Sequence, residues 1–582
     1  LDALQRAIRL SPGQARAHRQ LGNALRMLRR FDESLPCFER SIALEPQSGE
    51  THTDRGLSLV GLKRLTEALA SFDQALSLGQ QDATLHRYRG GVLQELNRTE
   101  EAIDSYARAL ALDPKAPFLR GTYLHARMET GDWEGIEADL GAITAALERK
   151  EAVTSAFGLL SLIDSPALHL RAAETWVRES LPPASPLPPA PRRRERERIR
   201  IAYFSADFYA HPVTRLAAGM FEAHDRSRFE LTAFALGPDR RDELRTRVEG
   251  AFDRFVPVDS QSDRQVATLA RELEIDIAVD LSGYTGDARP GILALRPAPI
   301  QVSYLGYLGT MGCDFIDYLI ADPVLVPEES RQYYSEKIAY LPSYQVNDSR
   351  RPLPQRTFSR AELGLPASGF VFCSFNATYK ITPETFGSWM RILAAVPGSV
   401  LFLLGSSATA ERNLRREAAA CGVDPERLVF GRSLPFADYL ARYCAADLFL
   451  DTLPYNAGTT ASDALWAGLP VLTLPGESFA ARMAASLLTA AGLPELIADD
   501  RSGYERLAIA LATDPQRLAS LRRKLADNRS RCLLFDTAAS TRSIEDLYRR
   551  MYDRYQAGLP PEHLLATAPT GNGARNETHG QD

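Results

Sequence analysis

The chain has 582 residues, several times what one hydrophobic core requires, so three or four domains are expected at about 150 residues each. Its 45% hydrophobic and 24% charged residues exclude a wholly disordered, collagen-like or coiled-coil protein. With 68 basic against 74 acidic side chains the net charge is −6, which gives no bulk electrostatic reason to expect nucleic acid or an anionic membrane as a partner.

No apolar run approaches the roughly 20 residues that cross a bilayer. The opening segment LDALQRAIRL reads as an amphipathic helix, not a secretion signal, and a piece is expected to be missing before Leu1 because the chain does not begin with Met. Six cysteines (Cys37, Cys313, Cys373, Cys421, Cys444, Cys532) lie far apart, and neither H-E-x-x-H nor D-x-D occurs. A reducing cytoplasm and a chemistry that needs no metal are the expectations.

Internal repetition dominates the front of the chain. Pro12, Pro46 and Pro114 stand one and two multiples of 34 apart, with Gln80 at the skipped position. Gly22, Gly56 and Gly90 keep that interval, as do Phe38, Phe72 and Tyr106, and Ser41, Ala75 and Ala109. Each unit reads as two amphipathic helices. In the second unit they cover about 48–61 and 65–78, the latter with Leu65, Ala68, Leu69, Phe72, Ala75 and Leu76 at three- and four-residue steps. The glycine lets a neighbouring helix approach, and the aromatic is expected to fill the gap between repeats. These series resemble the tetratricopeptide repeat and fill 1–116: about three units between Pro12 and Pro114, preceded by a half unit, residues 1–11, in which Leu4 takes the aromatic position. Such a solenoid offers a concave groove to an extended peptide or partner protein; its plainer uses are as a spacer or a homodimer surface. Off-period helices at 117–180 read as caps closing the solenoid. Residues 181–198, with six prolines ahead of alternating charge, read as a stiff exposed linker.

Beyond the linker, short β-branched and aromatic runs alternate with helices. They include IRIAYFSA (199–206), FELTAFAL (229–236), IDIAVDLS (275–282) and IQVSYLGY (300–307). The series restarts with FVFCSFN (370–376), SVLFLLG (399–405), RLVFG (427–431), DLFLDT (447–452) and PVLTLPG (470–476). This predicts two Rossmann-like doubly wound halves, 199–350 and 351–558, with a ligand cleft beyond the carboxyl ends of their strands. The Gly-, Pro- and Asn-rich stretch 559–582 is expected to be a flexible tail, in which the sequon at Asn576 carries no weight.

Five segments carry chemistry. DLFLDT runs into LPYNAGTTASDALWAG, where Thr459 or Thr460 could cap a helix whose N–H groups and dipole seat a phosphate, with Asp463 one turn further in for ribose hydroxyls. Lys380 follows the first strand of the second half and, facing the same cleft as that helix, would neutralise charge on a leaving diphosphate; standing by itself it would be read first as a solvated surface lysine. FSADFYAHP puts Asp207, His211 and Pro212 in a loop after a strand, where histidine can take a proton and aspartate can orient it; a lone His before Pro is more often just a loop residue. Gly306, Gly309 and Gly312 follow Leu305 at three-residue steps, fitting either backbone approach to a ligand or a tight turn. In GRSLPFADYLARY, Tyr439 could stack on a base or simply pack.

Taken in order, DFYAHP, GYTGDARPGILALRPAPIQVSYLGYLGTMG, FNATYKITP and LFLDTLPYNAGTTASDALWAGLPVLTLPGESFAARMAASLL, preceded by 34-residue repeats, resemble the protein O-GlcNAc transferase family and its bacterial relatives. The resemblance implies a GT-B glycosyltransferase, inverting and metal-independent, that moves a sugar from a nucleotide diphosphate to a Ser or Thr hydroxyl of a protein. By that resemblance Lys380, Thr459 and Thr460 hold the diphosphate and Asp463 the ribose. Tyr439 stacks on the base between Leu434 and Arg442; His211, Pro212, Leu305 and Gly306 face the sugar; Asp207 with His211 serves proton removal. Ala377, Gly458 and Val213 depart from the animal enzymes, which carry glutamine, histidine and a hydroxyl residue there. UDP-GlcNAc is the favoured donor. GDP-fucose is the second candidate, because plant relatives using it also carry Gly-Thr-Thr, and a dead interaction scaffold or an epimerase on the same fold are the readings from other classes.

Overall fold

A computed structural model describes residues 1–181, 187–188, 196–354 and 356–566. Most of the 181–198 linker, and Asn576, lie outside the described residues.

The 34-residue period is visible as packing. Helix pairs Ala15–Met27/Phe31–Leu44, Gly49–Gly61/Leu65–Ser77 and Ala83–Glu95/Thr99–Leu112 follow the single helix Asp2–Leu10. In every pair the repeated aromatic ring fills the space where a Cβ on the repeated glycine would stand: Phe38 on Gly22, Phe72 on Gly56, Tyr106 on Gly90. The ring thus locks the two helices of its own unit, and the expectation that it bridges successive units is corrected. The repeats share a core of their own, built around Leu59, Phe72, Leu93 and Tyr106.

The helices between 117 and 180 do more than cap. Leu124, Met128, Ile143, Leu159 and Ala172 belong to the same continuous core as both α/β halves. Trp176 packs its ring 4.4 Å from that of Tyr284 in the first half, while the His125 ring lies tilted 4.6 Å from that of Tyr379 in the second. Asp164 accepts the backbone N–H groups of Glu477 and Ser478, both at 2.8 Å. This segment is a bridge that fixes both halves at once.

The first half carries the parallel strands β1 (Ile199–Ser205), β2 (Phe229–Ala235), β3 (Arg254–Pro257), β4 (Ile277–Asp280), β5 (Ile300–Ser303), β6 (Tyr318–Ala321) and β7 (Lys337–Tyr340). The second carries β8 (Val371–Ser374), β9 (Val400–Leu404), β10 (Leu428–Gly431), β11 (Leu448–Leu450) and β12 (Val471–Leu472), and β13 (Leu564–Leu565) comes last. The sheet orders are β13-β7-β6-β5-β4-β1-β2-β3 and β10-β9-β8-β11-β12. Each reverses direction once, between β1 and β4 and between β8 and β11, the crevice where a doubly wound sheet receives a ligand.

Two boundaries need correction. Helix Thr537–Gln556, assigned from sequence to the second half, packs on helix Pro212–Ala223 and β5 of the first. Its Tyr548 hydroxyl lies 3.3 Å from that of Tyr203, and its Glu545 carboxylate receives His224 Nδ1 at 3.0 Å and the Asp225 N–H at 2.8 Å. A long amphipathic helix buries its stripe wherever a matching face is free, and here that face is across the cleft. The expected tail is also ordered at its start: Leu564 and Leu565 pair in parallel with Ala339 and Tyr340, covering the edge of β7.

Candidate active site

Both switch points open into one cavity of about 450 Å³ between the halves. The loop after β1 brings Asp207, His211 and Pro212 to it, the loop after β5 brings Leu305 and Gly306, the loop after β8 brings Lys380, and the turn after β11 brings Thr459. Seven residues expected at the site from sequence therefore meet in one space. Phe157, from the bridge helices, completes the wall.

Lys380 closes a single 3-10 turn, Thr378–Lys380. Its Nζ donates to the Asn456 carbonyl at 3.3 Å and lies 3.6 Å from the centre of the Tyr455 ring. Burial lowers its pKa to about 8, opposed by the charge of Asp451 behind it. Asp451 in turn is pushed up to about 6 by burial, while its Oδ1 orders the approaching turn by accepting the Thr452 and Ala457 N–H groups at 2.8 and 2.7 Å.

The helix Thr459–Trp466 begins without a side-chain cap. Its N-cap is Gly458, which corrects the expectation of a threonine oxygen in that role. The first-turn N–H groups keep their hydrogen-bonding capacity and the positive end of the helix dipole faces the cavity, a combination suited to an anion. Thr459 lines the space, whereas Thr460 turns away and donates to Asn376 Oδ1 at 2.6 Å.

On the opposite wall His211 is itself the N-cap of helix Pro212–Ala223. Its Nδ1 lies 3.4 Å from the Val213 N–H and 3.5 Å from Asp207 Oδ2. Burial first, then Arg215 and Arg240, lowers the imidazole pKa to about 4; burial and the charge of Asp287 raise Asp207 to about 6. At neutral pH the contact is therefore a neutral imidazole beside a carboxylate. With Nδ1 accepting the Val213 N–H, the neutral ring carries its proton on Nε2. Leu305 sits in the left-handed region at φ +71, a strain of about 1 kcal/mol or more for a leucine. Gly306 beside it has no room for a Cβ against the carbonyl of Leu281, so its glycine is explained by strand-end packing.

Leu434, Tyr439, Arg442 and Asp463 do not line this cavity. Asp463 is buried, accepts Arg351 Nη1 at 2.8 Å, and is raised to about 6 by burial against the pull of that arginine. Arg442 is also buried: its guanidinium stacks 3.9 Å from the Phe375 ring and donates to the Arg432 carbonyl at 3.0 Å, ordering the loop that holds Leu434. The Tyr439 hydroxyl is tied to that of Tyr443 at 2.5 Å. Sequence reasoning passed over Tyr379, Tyr455, Asp287 and Gln345, which do line the cavity. Their signal was adjacency to the motifs. Among the described residues no group of three or more His, Cys, Asp or Glu side chains could hold a metal ion, and no helix is long and apolar enough to cross a membrane.

The family model described as glycosyl transferase family 41 matches residues 188–357 and 353–544, more than half of the chain. The chain belongs to that family. Tetratricopeptide repeat models match residues 15–48 and 53–117. An Arabidopsis thaliana protein named "Probable UDP-N-acetylglucosamine--peptide N-acetylglucosaminyltransferase SEC" is 37% identical over 66% of this chain and 40% of its own length. The Caenorhabditis elegans UDP-N-acetylglucosamine--peptide N-acetylglucosaminyltransferase is 30% identical over 65% of this chain and 43% of its own length. The family 41 chain thus spans about two-fifths of the length of these curated relatives. The solved structure of a lysine-to-methionine mutant of Thermobaculum terrenum O-GlcNAc transferase matches at TM-score 0.71 and 30% identity, covering 94% of this chain and 98% of that one.

Proposed function

We propose that the chain is an inverting glycosyltransferase that moves GlcNAc from UDP-GlcNAc to Ser or Thr hydroxyls of proteins, with the solenoid groove receiving the acceptor. The observation that carries the reading is the pairing of walls in one cavity: Lys380 and an uncapped helix tip on one side, Asp207 and His211 on the other.

In this reading the donor diphosphate lies against Lys380 and the N–H groups from Thr459 onward. The acceptor oxygen attacks the anomeric carbon in line as the bond to the diphosphate breaks, and its proton passes to the His211–Asp207 pair, of which Asp207 is the more basic. Leaving-group charge falls on Lys380 and the helix tip, so these groups supply most of the rate and the reaction needs no metal. Asp463 and Tyr439 serve the nucleoside from the nucleotide half. Curated relatives named for UDP-GlcNAc favour that donor over GDP-fucose, and the retained set Lys380, Thr459, Asp463 and His211 disfavours a dead scaffold. Six free cysteines fit a reducing, cytoplasmic setting.

Parallel titration with UDP and GDP, read by thermal unfolding, tests the reading. The expected result is stabilisation by UDP that follows RT ln(1 + [L]/Kd), about 2.7 kcal/mol at a hundredfold excess over Kd, with transfer of GlcNAc to a protein acceptor. Preference for GDP would shift the donor, and silence with both nucleotides would reject the enzyme.

A further inference from the structure

Beside the cleft stands a cation that this chemistry leaves unused. Arg215 lies one turn past His211 on helix Pro212–Ala223. Its guanidinium crosses to the other half and rests 4.0 Å from the centre of the Phe436 ring, at the start of helix Phe436–Arg442. The side chain is half-buried, and among the described residues it has neither a hydrogen-bond acceptor nor a carboxylate at ion-pair distance. The two carboxylates whose charge it feels are already engaged. Asp463 accepts Arg351 at 2.8 Å, and Asp242 accepts the Ala210 and Arg245 N–H groups at 2.7 and 2.8 Å.

Its neighbours fix its place. Val213 and Leu216, on the same turn of the helix, line the donor cavity; Arg215 lies just beside that lining, reaching to Phe436, and its charge is felt by His211 and by Asp463. A charge taken partly out of water is costly unless an anion meets it, and a guanidinium presents paired donors that fit two phosphate oxygens. Stacking on Phe436 holds that fork in position without using any of its N–H groups.

We infer that Arg215 is a nucleotide-contacting residue contributed by the first half: its guanidinium, steadied on Phe436, pairs with the donor diphosphate across the cleft from the half that carries Lys380. The inference rests on the nucleotide-sugar reading above.

Calorimetric titration of the full chain with UDP and with uridine tests it, comparing wild type with Arg215→Ala, Arg215→Gln, Arg215→Lys and Phe436→Ala. Loss of the diphosphate contact should weaken UDP at least about tenfold in the Ala and Gln variants, leave uridine unchanged and flatten the salt dependence of the UDP Kd. Arg215→Lys should recover part of the loss, and Phe436→Ala should show a smaller loss of the same kind. Wild-type UDP affinity in a folded Arg215→Gln protein would overturn the inference. So would an equal loss for UDP and uridine accompanied by a lower unfolding temperature, which marks plain packing. If wild type binds GDP instead, the same comparison runs with GDP and guanosine; if it binds neither diphosphate, the nucleotide reading and this inference fall together.

Discussion

The ammonium group of Lys380 meets a carbonyl and an aromatic face where a structural lysine would meet a carboxylate. Its pKa near 8 lies below the ordinary 10.5, so the cost of keeping it charged is fully present below pH 8 and disappears as pH rises towards 10.5. The unliganded protein accordingly gains stability from this group across that window, and a bound diphosphate, by holding the proton on, reverses the trend. In catalysis the sign is opposite, because the charged lysine is the useful one. With His211 neutral throughout, kcat/KM should fall below about pH 6 as Asp207 takes a proton and above about pH 8 as Lys380 loses one. Asp207→Asn should erase the acid limb, Lys380→Arg should move the basic limb upward, and Lys380→Ala should cost at least about a hundredfold in transfer. An acid limb that survives Asp207→Asn would assign it to another group. Lys380 and His211 were legible from sequence because each follows a strand end, where doubly wound sheets keep their chemistry. Tyr455, Asp451 and Asp287 were not, because which side chain of a turn faces a cavity is set by backbone direction that no periodicity encodes.

At the scale of elements, the helix beginning at Thr459 matters for what it lacks. A Cβ at Gly458 would meet Met483 at 3.5 Å and Gln345 at 3.6 Å, ordinary contact distances, so Gly458→Ala should leave UDP affinity within about threefold of wild type. Gly458→Asp sets a carboxylate beside the anion seat and should weaken UDP at least about tenfold while leaving the fold intact. Titration separates the two, and equal affinities for both variants would remove the helix tip from the diphosphate site. The repeats were readable because one glycine and one aromatic recur at a fixed interval and touch within each unit. The strands β3 and β7 gave no comparable signal. β3, RFVP, has a half-exposed burial pattern at the sheet edge, and β7, KIAY, begins with an exposed lysine, so neither stands out as a buried apolar run. The two-residue β13 exists only because β7 has an edge to cover.

For the whole molecule, the division of cores predicts how it comes apart. The repeats bury their own cluster, which Leu119 and Ala126 of the first bridge helix, Leu119–Glu129, also join, whereas most other buried apolar residues of the bridge share one core with both α/β halves. Between repeats and body, Lys63 pairs with Asp287 at 2.9 Å, Arg29 donates to the Asp259 carbonyl at 3.2 Å, and Glu100 receives Arg412 at 3.2 Å. These polar contacts lie at or near the surface, where each contributes at most about 1 kcal/mol. No repeat residue lines the donor cavity. Calorimetry should therefore resolve a repeat transition that UDP does not move and a body transition that UDP raises, with hydrogen exchange placing the first within residues 2–112. Because Asp287 also helps to hold up the pKa of Asp207, Lys63→Met should nudge the acid limb of kcat/KM further upward without changing UDP affinity. A single transition that shifts as one body with UDP would mean that the solenoid and the catalytic halves are thermodynamically one unit, and the repeats would then contribute to the stability of the site as well as to delivery of its acceptor.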